Sequence, residues 1–235
     1  SICAFIHRVD PDIIDMQEVL HHQLEVLKTG LPEYTVVGVG REDGKTAGEY
    51  APIFFKQAKY TLLDQNTFWL CEKPDSVGMV GWDAALTRIA TWVKLQDKKT
   101  GQILMVVNTH FDHIGTEARR NSALLIIEKI KEIVGTSPAI LTGDFNVSED
   151  WDAYKTITNN EFILKDAHKV AGKRTGVDFT YHNFGKIPAE KCEKIDFIFV
   201  TPQIRVISSY IPFSQLNDTL FLSDHNPEIV ELEIK

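Results

Sequence analysis

Five places in this 235-residue chain put acids, amides or histidines where an apolar run ends. The sharpest is Thr142-Gly-Asp-Phe-Asn146, where Ala139–Leu141 delivers an acid and an amide two residues apart. A strand alternates its side chains with period two, so Asp144 and Asn146 share a face if the backbone stays extended. A carboxylate can hold or activate a water there, and an amide can orient that water or a phosphoryl oxygen; an Asx turn is the other use of such a pair. Lys194-Ile-Asp-Phe-Ile-Phe-Val200 sets one acid in an otherwise apolar run. A buried acid needs a partner. His225 of Ser223-Asp-His225 is the economical one, and such a pair fixes the ring's tautomer and favours its charged form. Asn108-Thr-His110 continues to Phe111-Asp-His113, placing two histidines past a buried run, where either can also serve packing. Glu18 closes Asp12-Ile-Ile-Asp-Met-Gln-Glu18, and an acid so placed binds a metal or neutralises a helix N-terminus. Carboxylates, amides and histidines without paired cysteines suit Mg²⁺ or Mn²⁺ better than zinc.

The elements that position these residues follow from periodicity. Ile2, Phe5, Ile6 and Val9 recur at helical spacing until Pro11; a strand is expected over Asp12–Val19, then a helix through Leu20, Leu24 and Leu27 that stops at Gly30-Leu-Pro32. Strands are expected at Tyr34–Val39, Pro52–Lys56, Tyr60–Leu63, Ala90–Leu95, Ile103–Asn108, Ala139–Leu141, Ile195–Val200, Val206–Tyr210 and Ile229–Ile234. Glu117–Val134 reads as the clearest helix and Trp151–Ile157 as a short one. Many strands with a few helices between them predict two sheets packed face to face, helices outside, with the polar strand ends along one rim.

Composition narrows the partners. Lys and Arg total 25 against 33 Asp and Glu, a net charge of -8 with His neutral. That argues against binding long duplex DNA, which runs on counterion release. Cys3, Cys71 and Cys192 have neither zinc spacing nor a disulfide framework and are expected to be buried or half-buried thiols. There is no apolar run of about 18 residues, so no transmembrane segment is expected, and Ser1–Val9 lacks a signal-peptide layout. Neither the compartment nor an oligomeric state is marked.

Taken together and in order, the five motifs resemble the endonuclease/exonuclease/phosphatase superfamily, whose relatives include pancreatic deoxyribonuclease, inositol-polyphosphate 5-phosphatases and nocturnin-like deadenylases. The resemblance extends over nearly the whole chain. It is nearest to a bacterial subgroup carrying Gly38-Val-Gly-Arg-Glu-Asp-Gly44, Gly81-Trp-Asp-Ala-Ala85 and Asn108-Thr-His-Phe-Asp-His-Ile-Gly115. It implies a four-layer α/β sandwich, one domain over residues 1–235, hydrolysing a phosphate ester with Mg²⁺ or Mn²⁺. Glu18 would bind the metal with Asp224 beside it. Asp144 would activate water, Asn146 would orient it, and Asp196 would pair with His225. His110 would contact the phosphate or assist the leaving group, with Glu49 as its acid and Arg88 as a phosphate contact. Trp69, Trp82, Tyr181, His182 and Phe184 are candidate walls for a base, sugar or lipid, although core or loop packing would also explain them; Trp82 and His182 are the leading substrate contacts. A phosphodiesterase on a small or single-stranded substrate is expected first. A phosphatase on a phosphorylated sugar, inositol or lipid headgroup comes second, and a non-catalytic binding module third. Relatives begin with a strand carrying an Asn near the metal; this chain starts in the helix that follows, so that strand is expected to be missing from the sequence.

Overall fold

The computed structural model describes residues 1–159, 161, 162 and 164–235. In chain order the elements are α1 (Ile2–Val9), β1 (Ile13–Asp15), α2 (His21–Gly30), β2 (Tyr34–Val37), β3 (Ile53–Lys56), β4 (Tyr60–Trp69), β5 (Ile89–Asp97) and β6 (Ile103–His110). There follow α3 (Thr116–Val134), β7 (Ala139–Asp144), α4 (Asp152–Thr158), β8 (Lys165–Asp166), α5 (Ala167–Val170) and β9 (Lys173–Gly176). The chain closes with β10 (Asp196–Val200), β11 (Ile204–Ile211), β12 (Gln215–Asn217), β13 (Leu220–Phe221) and β14 (Ile229–Ile234).

The alternation of β3 shows how four layers arise. Phe54 packs with Ile6, Leu24 and Leu27 of α1 and α2. Its neighbours Ile53 and Phe55 face the other way, into a core shared with Val93, Leu104, Val106 and Ile140 of the second sheet. On that sheet's far face, Met105 and Val107 meet Ala123, Ile126 and Ile130 of α3 and Ile157 of α4. The order is therefore helices, sheet, sheet, helices: the expected four-layer α/β sandwich. Each fully buried Ile or Phe contributes on the order of 1.5–3 kcal/mol.

The second sheet runs β4-β5-β6-β7-β10-β8, antiparallel except for β6–β7. The first layer has two three-stranded parts, β1-β3-β2 and β14-β11-β9. Among the described residues β1 pairs with β3 alone and β14 with β11 alone. Their other edges line one cleft of about 1510 Å³, which Leu104, Val106, Ile140 and Ile198 of the second sheet also line, together with Glu18, Asp144, Asp224 and His225.

Several boundaries differ from expectation. Only Ile13–Asp15 of the expected Asp12–Val19 strand forms a ladder. β4 reaches Trp69, beyond the expected Leu63: it is an edge strand, and past Leu63 its exposed Asp64, Gln65 and Asn66 carry no apolar signal. β9 is exposed throughout and held by backbone pairing to β11, so no hydrophobic pattern marks it. The three thiols are free, with Cys71 buried and the other two half-buried. Among the described residues no helix is long and apolar enough to cross a membrane.

Candidate active site

Strand register places three ionisable groups side by side. His110 ends β6 opposite Asp144 in the parallel β6–β7 pair, and Asp144 lies opposite Asp196 in the antiparallel β7–β10 pair. Gly143 makes the close approach possible, because a Cβ there would sit 2.3 Å from the Thr109 carbonyl oxygen. The segment before β14 then brings in His225, whose Nδ1 lies 2.7 Å from Asp196 Oδ2 and whose Nε2 lies 3.8 Å from Asp144 Oδ2. His110 Nε2 approaches the same Asp144 oxygen at 3.5 Å. Asp144 is thus enclosed by two imidazoles. The pairing of Asp196 with His225 is present as expected.

Asn146 reaches the site by a different route from the one its spacing suggests. The strand ends at Asp144, and Asn146 adopts a left-handed backbone, φ 50°. Its N–H donates to Asp144 Oδ1 (3.0 Å) in an Asx-type turn, and its side-chain amide donates to the Phe111 carbonyl (2.7 Å). The turn holds Asn146 beside Asp144 without shared strand alternation. Asn is among the residues that tolerate this backbone region.

Charge is distributed unevenly. Burial disfavours a charged His225 ring, but the hydrogen bond and charge of Asp196, with the charges of Asp144 and Asp224, outweigh it and hold its pKa at about 9. Burial pushes His110 down to about 3, and the guanidinium groups of Arg88 and Arg41 add to the shift, so this ring stays neutral. Burial and the Asp196 charge raise the Asp144 carboxyl, against the pull of His225.

Glu18 also has a left-handed backbone, φ 59°. Burial, Glu49 and Asp224 raise its pKa. Ligand atoms of Glu18, Asp224 and His225 lie within 4.8 Å of one another. Crowded hard-oxygen donors that repel one another fit a divalent cation, which would relieve that repulsion. Asn108 holds this side of the site to the second sheet: its amide donates to the Met16 and Pro52 carbonyls (2.6 and 2.9 Å) and accepts from Gln17 Nε2 (2.7 Å).

Glu49 is engaged differently from the expected pairing with His110. Its Oε2 lies 2.7 Å from Arg41 Nη1 and 3.9 Å from His110 Nδ1, with no N–H aligned on it. The ion pair with Arg41 is therefore the closer contact. Arg41, Glu49, Arg88 and His110 together line a small recess. Arg41 carried no individual signal in the sequence beyond its place in Gly38–Gly44.

The aromatic walls are corrected in part. His182 is 1% exposed; its Nδ1 accepts from the Gly185 N–H, its Nε2 bonds Ser214 Oγ at 2.9 Å, and its ring packs on Phe213 and Phe221. It braces the loop before Asp224 and presents no free face to a substrate. Trp69 is buried, its indole N–H donating to the Arg41 carbonyl. Trp82 packs partly against the α3-side core. Tyr181 lies against His225, ring centroids 4.9 Å apart, and Phe184 is half exposed.

The sequence profile of the Endonuclease/Exonuclease/phosphatase family matches residues 1–225. Among solved structures the chain is similar to an endonuclease/exonuclease/phosphatase from Bacteroides vulgatus, with 63% identity and a TM-score of 0.97 over 100% of this chain and 89% of that one. It is similar to a mannosyl-6-phosphatase from Bacteroides thetaiotaomicron VPI-5482, with 37% identity and a TM-score of 0.92 over 99% and 89%. It shares a fold with the catalytic domain of human nocturnin, at 18% identity and a TM-score of 0.78 over 100% and 84%. The profile spans nearly all of a chain whose motifs converge at one end of two packed sheets, and the chain belongs to the endonuclease/exonuclease/phosphatase family.

Proposed function

We propose that the chain is a divalent-metal-dependent hydrolase of phosphate esters whose substrate is a small phosphomonoester of the sugar-phosphate class. The observation that carries hydrolysis is Asp144 held between the His225 and His110 rings, with His225 charged through Asp196. Asp144, its pKa raised by burial, accepts a proton from the attacking water. His225 offers its Nε2–H to a phosphoryl oxygen because Asp196 occupies Nδ1. His110, neutral, contributes an N–H rather than a charge. Arg88 adds a buried positive charge, and Asn146 is held by its turn beside Asp144. Glu18 and Asp224 would hold the cation, which supplies Lewis-acid stabilisation of charge on the phosphoryl group and leaving oxygen when bound. Trp82 and Phe184 are the proposed contacts to the alcohol portion.

The monoester is preferred to a diester because the mannosyl-6-phosphatase matches almost the whole chain at 37% identity, whereas nocturnin shares the fold alone. The test compares an aryl phosphomonoester, a bis-aryl phosphodiester and mannose 6-phosphate, with and without EDTA and with Mg²⁺ or Mn²⁺ restored. Metal-restored release of phosphate from the monoesters is expected. Faster cleavage of the diester would return the preference to a phosphodiesterase, and activity untouched by chelation would sink the metal reading.

A further inference from the structure

Asp112, one residue beyond the Phe111 carbonyl that Asn146 grips, is 2% exposed and takes no part in the reaction as described. Its carboxylate accepts from five N–H groups: Ala85, Ile114 and Gly115 at Oδ2 (3.0, 3.0 and 2.8 Å), and Leu86 and Arg88 Nε at Oδ1 (both 3.2 Å). Burial alone would raise this carboxyl, but the backbone donors and Arg88 outweigh it and hold it well below the usual carboxylate range. The donors come from two segments, the approach to β5 and the entry to α3. One acid therefore joins two loops and fixes one guanidinium.

Arg88 is 4% exposed. Its Nη2 lies 3.0 Å from His113 Nδ1. A guanidinium only donates, so Nδ1 accepts and the ring carries its proton on Nε2. With Nε and Nη2 engaged, Nη1 has no partner among the described residues. The Arg88 charge acts on both Glu18 and His110, and the side chain lines the recess shared with Glu49. A buried cation with one open edge beside the site is poised to take an anion.

We propose that Asp112 is a positioning residue for the phosphate grip: with His113 it holds Arg88 by Nε and Nη2, so that Nη1 is presented to the phosphoryl oxygens. This rests on the phosphoester reading above. The rival is that Asp112 only ties the two loops together, and a double-mutant cycle separates the two. Inorganic phosphate binding is measured by calorimetry with Mg²⁺, alongside kcat and KM on an aryl phosphomonoester, for the parent, Asp112→Asn, Arg88→Ala and the double variant. Asp112→Asn is expected to weaken phosphate binding by about tenfold or more, as for a lost hydrogen bond to a charged group. The same change on the Arg88→Ala background is expected to cost less than about twofold, because the group it acts through is gone. Equal losses on both backgrounds would overturn the proposal. Should Asp112→Asn not fold, the exposed His113 provides the second route: His113→Phe is expected to weaken phosphate binding in the parent and to be silent on Arg88→Ala. If the parent binds phosphate but cleaves no ester, the hydrolase reading fails while the cycle still decides the role of Asp112. If the parent binds no phosphate, both fall.

Discussion

His225 keeps its charge because Asp196 takes its Nδ1–H, and neither group is satisfied without the other. Asp196→Ala is therefore expected to lower both turnover and stability, the latter by about 1–3 kcal/mol for an unpaired buried group. The pH dependence has a definite sign. His225 rises from 6.5 to about 9 in the folded state, so its contribution is complete below about pH 6.5 and fades as pH climbs through 9. Thermal unfolding of parent and variant should thus differ more at pH 6 than at pH 10, and an equal difference at both would mean that the pair is not coupled. Asp144→Asn, Asn146→Ala and His225→Ala are each expected to reduce kcat by about 10²-fold or more with the fold intact. Combined, they should lose less than the product of the single effects, since in the proposed reaction they act on one water and one phosphate. Turnover near the parent's in Asp144→Asn would remove that residue from the reaction.

At the scale of elements, the site depends on the two sheets keeping their relative position, and Asn108 is one polar tie between them, beside the Thr142–Asp15 hydrogen bond. Asn108→Ala leaves the Met16 carbonyl and the Gln17 amide without the partner Asn108 gave them, and takes from the Pro52 carbonyl one of its two donors, at a fully buried position. The expected loss exceeds about 2 kcal/mol, with a fall in turnover beyond what unfolding explains, because Glu18 hangs from the Met16–Gln17 segment that Asn108 grips. A denaturant titration and an activity assay well below the midpoint test the two parts separately. The same elements show what the sequence makes legible. Near-continuous apolar runs located β5, β6, β7 and β10 because these strands bury side chains on both faces, against the first sheet on one side and α3 and α4 on the other. β9 and the β12–β13 hairpin escaped because they are exposed and held by backbone pairing, which leaves no side-chain pattern. The acid–histidine pairing was inferable from one acid in an apolar strand. His182 misled because a histidine in an aromatic loop reads the same whether it meets a ligand or a serine; only the Ser214 contact decides. Arg41 and Asp112 act through loop geometry, to which residue spacing is blind.

The whole molecule carries a net charge of -8, and its site is ringed by Glu18, Glu49, Asp144, Asp196 and Asp224. Arg41 is already paired with Glu49, which leaves Arg88, its Nη1 without a partner among the described residues, and the charged His225 as the cations that would face a substrate in the proposed reaction. That supply suits one phosphate and not a track of them. Titration of duplex DNA at several salt concentrations is expected to give weak binding with a shallow slope, since each neutralised phosphate adds about 0.9 to the slope. A slope equivalent to six or more contacts would indicate a backbone-tracking surface that the Arg88 recess does not provide.

Two of the groups that meet at the rim, Glu18 and Asn146, sit in left-handed backbone, and Asp144 is buried among other acids. Strain and like-charge crowding at the proposed catalytic centre are sustained by the rest of the fold. It follows that activity and thermal robustness oppose each other here. Because the folded state raises the Asp144 pKa, the acid favours folding only while protonated and becomes a burden as pH rises through its shifted value. In metal-free protein, Glu18→Asn and Asp144→Asn should each melt about 2–4 °C higher than the parent while turning over little or nothing, and for Asp144→Asn the gain should widen toward alkaline pH. An inactive protein that outlasts its parent on heating would show that the scaffold's surplus stability is consumed at the rim where Glu18 and Asp144 meet.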